Sequence, residues 1–400
     1  MEHKTKDEPA IEAKPLQGFG VFPQKHSATG TTIFTVMSAL AAQYNAINLS
    51  QGFPDFHIDE QLSRLLGEAA RDGHNQYAPM PGLPLLRQGI VNSFKTRYNV
   101  DIDADTEVTV TPGATYAIYT AFTAILQPGD EVIVLEPAYD SYIPNIEMNG
   151  ARVVPVSLEA PDFHVDWGKV KDAITSRTKA IIINTPHNPT GAIWNKNDWN
   201  ELANLVRDTD IVILSDEVYE QLVFDGEKHH SVLEHPELRE RSFALYSFGK
   251  VYNNTGWKIG YCIAPPAFTV AFRRIHQFLS FTVNTLAQFA LAHHLANDKA
   301  APVGIIMQQK RDHFLSLIQQ VPFTIFKPAK GSYFQIAGYK NISDKPDMEF
   351  AQWLTKEYGV ATIPVSAFYQ NKKDDKLVRF CFAKKEETLN EAVERLKRLS

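Results

Sequence analysis

The 400-residue sequence is poor in several things, and each shortage closes off a class of function. It has only two cysteines, Cys262 and Cys381, both inside apolar runs. So few thiols cannot staple a secreted fold, and both read as buried reduced residues of a cytoplasmic protein. No stretch approaches the ~20 apolar residues of a membrane-spanning helix. Positive charge is not in excess: 40 Lys and Arg stand against 46 Asp and Glu, for a net charge of -6. With the cations dispersed, nothing electrostatic points to nucleic acid or an anionic membrane as a partner. Internal repeats and low-complexity tracts are missing. Residues 1–14 are charged, lack an apolar core, and read as a flexible leader rather than a secretory signal.

What is present is material for a large core, with 44% hydrophobic and 22% charged residues. From about Asp105 onward, short apolar runs alternate with helix-period segments. Glu107–Val110, Glu131–Glu136, Lys179–Asn184, Ile211–Ser215 and Phe243–Ser247 read as strands. Most are apolar on both faces, which suits a mostly parallel sheet covered by helices such as Ala114–Leu126 and Asp198–Asp208. After about Pro265 the pattern changes. One long helical stretch is expected from Ala267 towards Asn297, then a helix Val303–Leu317, strands Ser332–Gln335 and Leu377–Phe382, and a last helix Glu387–Leu399. The expected architecture is α/β: a large domain over 52–290 and a smaller α+β domain over 291–400, with 15–51 joining the small one.

In an open α/β sheet, ligands gather at the carboxyl ends of the strands. Those ends carry Thr111-Pro112-Gly113-Ala114-Thr115, Glu136–Asp140, Asn184–Gly191, Ser215–Tyr219 and Ser247-Phe248-Gly249-Lys250. Polar turns, three of them bearing glycine, thus share one edge, as a buried anionic cofactor would require. The set Asn-Pro-x-Gly, Ser-Asp-Glu-x-Tyr and Ser-Phe-x-Lys, followed by Thr255–Gly260, resembles the class I/II aminotransferases, fold type I enzymes of pyridoxal 5′-phosphate (PLP). The resemblance runs from about Gly52 to Phe382. Within the family, Asn48–Phe56, Asn75–Pro79, Gly30–Phe34, Ala264-Pro265, His276-Gln277 and Asn284-Thr285 look like the kynurenine and methionine aminotransferase branch.

The resemblance implies a role for each residue. Lys250 holds PLP as an imine and, once released, moves the proton between substrate Cα and the cofactor. Taken alone a lysine is a surface residue; its place after a buried strand argues otherwise. Asp216 pairs with the pyridine nitrogen, Tyr219 and Asn188 bond the phenolate oxygen, and Tyr139 stacks on the ring. Gly113, Ala114 and Thr115 open a helix whose free N–H groups suit a phosphate, with Ser247 and Lys258 adding a hydroxyl and a cation. Arg379, inside an apolar strand, grips the substrate α-carboxylate, aided by Gly52 and Asn188. Phe34 and Tyr116 make the side-chain pocket. Tyr77 and Phe281 reach in from a second subunit, which implies a homodimer. An apolar pocket favours methionine, aromatic amino acids and kynurenine over aspartate, with amino groups passing to a 2-oxo acid by ping-pong kinetics.

Two other readings stay open. A PLP-dependent C–S β-lyase begins with the same Cα deprotonation. A non-catalytic ligand-binding protein could keep the fold, although the intact set of Lys250, Asp216, Tyr219 and Arg379 speaks against it. Gly18-Phe19-Gly20 lacks the context of a dinucleotide fingerprint. The pairs His229-His230 and His293-His294 have no recognisable ligand spacing, so no metal is expected.

Overall fold

The computed structural model describes residues 25–27, 31–297 and 303–399; the expected leader 1–14 and Gly30 lie outside them. The strands are β1 Ile47–Asn48, β2 Val108–Thr111, β3 Glu131–Glu136, β4 Arg152–Ser157, β5 Thr178–Asn184, β6 Val212–Asp216, β7 Ser242–Ser247, β8 Gly260–Ile263, β9 Phe334–Gly338, β10 Val360–Ala361, β11 Ile363–Pro364 and β12 Leu377–Cys381. Seven of them form one sheet in the order β2-β8-β7-β6-β5-β3-β4. Only β8 runs against its neighbours; β3, β4, β5, β6 and β7 pair in parallel. The expected mostly parallel α/β sheet is therefore present. Two of its strands were not read from the sequence. Edge strand β4 is partly exposed and holds a proline, so it lacks the continuous apolar run of a buried strand. Strand β8 hides inside the Thr255–Gly260 motif and the apolar residues after it.

The strands are apolar because both faces are covered. Helix Ala114–Ile125 packs on β7 and β8. Helix Lys196–Val206 starts where Asn195 and Asp198 form a reciprocal capping box. Ile133, Ile181, Ile213 and Ala244 fill one side of the sheet, and Val132, Ile182, Leu214 and Leu245 the other. Burying each large aliphatic side chain contributes about 1.5–3 kcal/mol.

The single helix expected from Ala267 to Asn297 is corrected to two, Pro266–Leu279 and Thr285–Asn297. The break is made by tertiary contacts. Phe281 takes a φ of +65°, Thr282 Oγ1 donates to Ala78 O at 3.0 Å, and Thr285 Oγ1 donates to Gln76 O at 2.6 Å. Asn284 then caps the second helix through Ala287 N at 3.0 Å.

A second core gathers around the antiparallel sheet β11-β12-β9 and helices Val303–Ile318, Asp347–Tyr358 and Glu386–Leu396. Phe314, Phe350, Phe380, Leu354 and Leu389 are fully buried in it. Strand β1 pairs in parallel with β10, so the chain near residue 47 is tied to this second core.

Candidate active site

Six of the seven strands of the large sheet end at one edge, β4 at Ser157 and the others at Thr111, Glu136, Asn184, Asp216 and Ser247. Antiparallel β8 begins there, with Gly260 registered against both Thr111 and Ser247. A Cβ on Gly260 would lie 2.6 Å from Tyr246 O and 3.0 Å from Ala114 N, so only glycine lets the helix N-terminus come this close. A cavity of about 460 Å³ opens on this edge. It is lined by Phe34, Gly52, Gly113, Ala114, Thr115, Tyr139, Asn188, Asp216, Tyr219, Ser247, Lys250, Lys258 and Arg379, which is most of the expected set.

One end of the cavity is built for an anion. Helix Ala114–Ile125 points its first N–H groups there, and they have no acceptor within the helix. The Lys258 amine stands 3.3 Å from where a Gly113 Cβ would be. The expectation for Gly113 itself is corrected: its N–H is committed to Thr111 O at 2.7 Å across the tight turn at Pro112. Its lack of a side chain, not its N–H, is what serves the cradle.

The centre holds a buried carboxylate. Asp216 accepts from Tyr142 Oη at 2.5 Å, and burial pushes its pKa up to about 6 against the pull of that bond. The Asn184 amide donates to Asp216 O at 2.8 Å, while Asn184 Oδ1 accepts from Asn188 N at 2.8 Å. The other acids of the same segment anchor it from behind. Glu217 accepts from Ser215 Oγ at 2.8 Å and Val232 N at 2.9 Å, with His229 Nε2 2.8 Å away. Glu220 takes Arg97 at 2.5 Å and Tyr98 Oη at 2.5 Å. Asp216 and Tyr219 are thereby fixed facing the cavity.

Lys250 lies in the first turn after β7. Its Nζ is 3.0 Å from Tyr333 Oη and 3.3 Å from Gly52 O. Burial lowers its pKa to about 8, which favours a neutral, nucleophilic amine more than in an exposed lysine. At the far end Arg379 is fully buried. Its fork donates to Asn188 Oδ1 at 2.8 Å and Ser50 O at 2.6 Å, while Nε has no partner. Its guanidinium sits 3.9 Å from the Phe334 ring centre and within 5.3 Å of those of Phe34 and Phe368. Burial pulls its pKa down to about 10. An unpaired buried guanidinium N–H demands an acceptor, and a carboxylate meets that demand.

Tyr116 was expected at this cavity and is not brought to it; Tyr77 and Phe281, expected to serve a partner's cavity, do not line it either. Tyr116 is turned away by His276, whose Nδ1 is 2.9 Å from the phenol and whose Nε2 is 3.2 Å from Met80 O. Tyr77 and Phe281 pack edge to face, with centroids 5.6 Å apart, on the outside of the chain; Tyr77 is 81% exposed. Four residues escaped the sequence reading: Tyr142, Tyr333, Phe334 and Phe368. Each lies in an ordinary apolar context, and only the folded arrangement marks it out.

A second cavity, of about 510 Å³, opens beyond Asn184 between Phe163, Trp194 and Phe326. It holds none of the expected site residues, and its rim charges pair among themselves, Asp162 with Lys327 and Glu227 with Lys330.

The whole arrangement has close relatives. A family model described as aminotransferase class I and II matches residues 44–396. Methionine aminotransferase of Escherichia coli is 46% identical over 372 residues, covering 92% of this chain and 96% of that protein. Kynurenine–oxoglutarate transaminase 1 of Rattus norvegicus is 34% identical, covering 90% and 93%. The crystal structure of Escherichia coli YbdL, described as having a methionine aminotransferase function, superposes with a TM-score of 0.91 at 46% identity, covering 95% of this chain and all of that one. With this match over nearly its full length, the chain belongs to the class I and II aminotransferases, enzymes that transfer amino groups with PLP as cofactor.

Proposed function

We propose that this aminotransferase takes the amino group from methionine, aromatic amino acids or kynurenine, with Lys250 as the residue that bonds the cofactor. The observation that carries this is the cavity's composition. A lysine amine of lowered pKa, a buried carboxylate and a buried arginine line one space walled by Phe34 and Phe334. The names of the 46% and 34% identical relatives support the substrate class.

The residues present fit PLP. The N–H groups of Ala114 and Thr115, with Ser247 and Lys258, would hold its phosphate. Asp216 would hold a proton on the ring nitrogen, Tyr219 and Asn188 would donate to the ring oxygen, and Tyr139 would lie against the ring. When bound, PLP supplies the electron sink that makes the substrate Cα acidic. The Arg379 guanidinium takes the substrate carboxylate, and Gly52 and Asn188 close around it. That grip fixes the Cα–H towards Lys250. Lys250 Nζ, neutral in part because burial depresses its pKa, removes the proton and returns it later. Phe34, Phe334 and Phe368 keep water from the guanidinium and strengthen its hold. Among the described residues, no cationic side chain besides Arg379, Lys250 and Lys258 lines the cavity to receive an acidic substrate side chain.

The proposal includes a homodimer in which Tyr77 and Phe281 enter the partner's site, supported by the exposed aromatic patch of Tyr77, Phe278 and Phe281. It also includes the division into a large domain over 52–290 and a small one over 291–400 joined by 15–51, supported by the two separate cores. Tyr116 then serves by bracing the 76–82 loop rather than by touching substrate. A cytoplasmic setting is supported by the two buried free thiols.

Borohydride reduction should fix the cofactor on the peptide bearing Lys250, and Lys250→Ala should bind PLP without turnover. A donor panel should rank methionine, phenylalanine, tyrosine and kynurenine above aspartate. Aspartate as preferred donor, or cofactor fixed on another lysine, would refute the proposal.

A further inference from the structure

The Lys250 amine has a defined partner that the established chemistry does not require. Tyr333 lies on the turn before β9, fully buried, behind the cavity wall. Its phenol donates its one proton to Gly52 O at 2.6 Å. The phenol oxygen can then only accept, and Lys250 Nζ stands 3.0 Å away as donor. Gly52 O accepts from Lys250 as well, at 3.3 Å. The carbonyl reaches this place because residue 52 has no side chain: a Cβ would lie 2.7 Å from Phe334 Cζ and 3.6 Å from Tyr333 Cε2. The Tyr333 ring is held edge-on to Tyr219, with centroids 5.0 Å apart. Phenol, carbonyl and amine thus form a closed triangle on a rigid base.

An amine that is bonded in one half of a reaction and free in the other needs two positions. A free lysine head in a buried site with no acceptor would leave its N–H groups unsatisfied, and its four-carbon stem would sample several rotamers. We propose that Tyr333 is a positioning residue: with Gly52 O it forms the seat of the Lys250 amine whenever that amine is not bonded to the cofactor. This rests on the assignment of Lys250 made above. The seat holds the proton that Lys250 takes from substrate Cα. That proton arrives on Nζ, stays there as a donor to the Tyr333 oxygen, and leaves again from Nζ; no bond to Tyr333 forms or breaks. The other groups that act on Nζ are Cys381 and Asp216, which favour the ammonium form, and Arg379 and Lys258, which oppose it.

The test uses the holoenzyme after an amino donor is added without an oxo acid, when Lys250 is free. Competitive acylation of Lys250, read peptide by peptide against pH, reports its protonation. A phenol oxygen that accepts from an ammonium stabilises the charged form. Tyr333→Phe should therefore raise the labelling rate at pH 7 roughly fivefold. The same variant should lower kcat while leaving the KM of the donor and the affinity for a carboxylate inhibitor unchanged, since Arg379 is untouched. A merely structural loss would move both together. If Tyr333→Phe does not fold, 3-fluorotyrosine placed at position 333 keeps every contact and weakens the acceptor, giving a smaller shift in the same direction. A labelling profile that superposes on wild type, with borohydride still fixing cofactor to Lys250, overturns the seat alone. Loss of that fixation in the wild type overturns the Lys250 assignment instead.

Discussion

Removing the Tyr142 hydroxyl should move the pH at which the protein loses its hold on the cofactor ring. Tyr142 is 2% exposed and donates to Asp216 at 2.5 Å. Burial raises Asp216 to about 6, and this bond is the largest influence holding it down. A hydrogen bond to a charged group contributes about 1.5–3 kcal/mol, which corresponds to one to two pKa units. Tyr142→Phe should therefore carry Asp216 from about 6 to roughly 7–8. The sign is fixed by the charge. Above its pKa the carboxylate pairs with a protonated ring nitrogen; below it the neutral acid does not. Wild-type affinity should thus fall as pH drops through about 6, and the variant should lose affinity one to two units higher. Pyridoxamine phosphate is the proper probe, because it forms no imine with Lys250, so its binding does not require that amine to be neutral. The dissociation constant would be measured by calorimetry from pH 5.5 to 8.5 for both proteins. Coincident curves would show that Tyr142 does not set the ionisation of Asp216.

Arg379→Lys should lower kcat/KM by about 100-fold, because a point charge replaces a planar fork whose N–H groups are divided between Asn188, Ser50 and the substrate; steady-state kinetics with methionine will read it. Gly260→Ala should weaken PLP binding and shift the melting temperature down, since its Cβ would press on Tyr246 O at 2.6 Å and on the anion-binding helix end; equal affinity in a spectroscopic titration would sink this account. Mixing Tyr77→Ala and Lys250→Ala chains, each inactive alone, should restore roughly a quarter of wild-type activity if sites are shared between subunits, and nothing if each chain builds its own.

The elements that bear the chemistry were legible because the same residues obey two demands at once. Strands β3, β5, β6 and β7 are apolar throughout since they are buried on both faces, so their polar ends stand out. Asp216, Tyr219, Ser247 and Lys250 sit at those ends, and their spacing follows from one strand and one turn. Gly113 is marked by its place before a helix, whereas the commitment of its N–H to Thr111 O is set by the turn and is not written in the motif. Tyr142, Phe334 and Phe368 were invisible for the opposite reason: an aromatic residue in an apolar segment carries no mark of what it will touch.

The sequence by itself determined five of the sheet's seven strands, the fold family, and the place of Asp216, Tyr219, Ser247 and Lys250 just after strands, since local pattern and motif spacing are properties of contiguous chain. Tertiary structure alone decided which groups meet across distance: Tyr333 with Lys250, Tyr142 with Asp216, Asn188 and Ser50 with Arg379. It also broke the helix at Ser280–Asn284 and turned Tyr116 towards the buried His276. The physical reason is the same in each case. Hydrogen bonds between residues 74 to 329 positions apart depend on packing geometry, which no local run of residues encodes.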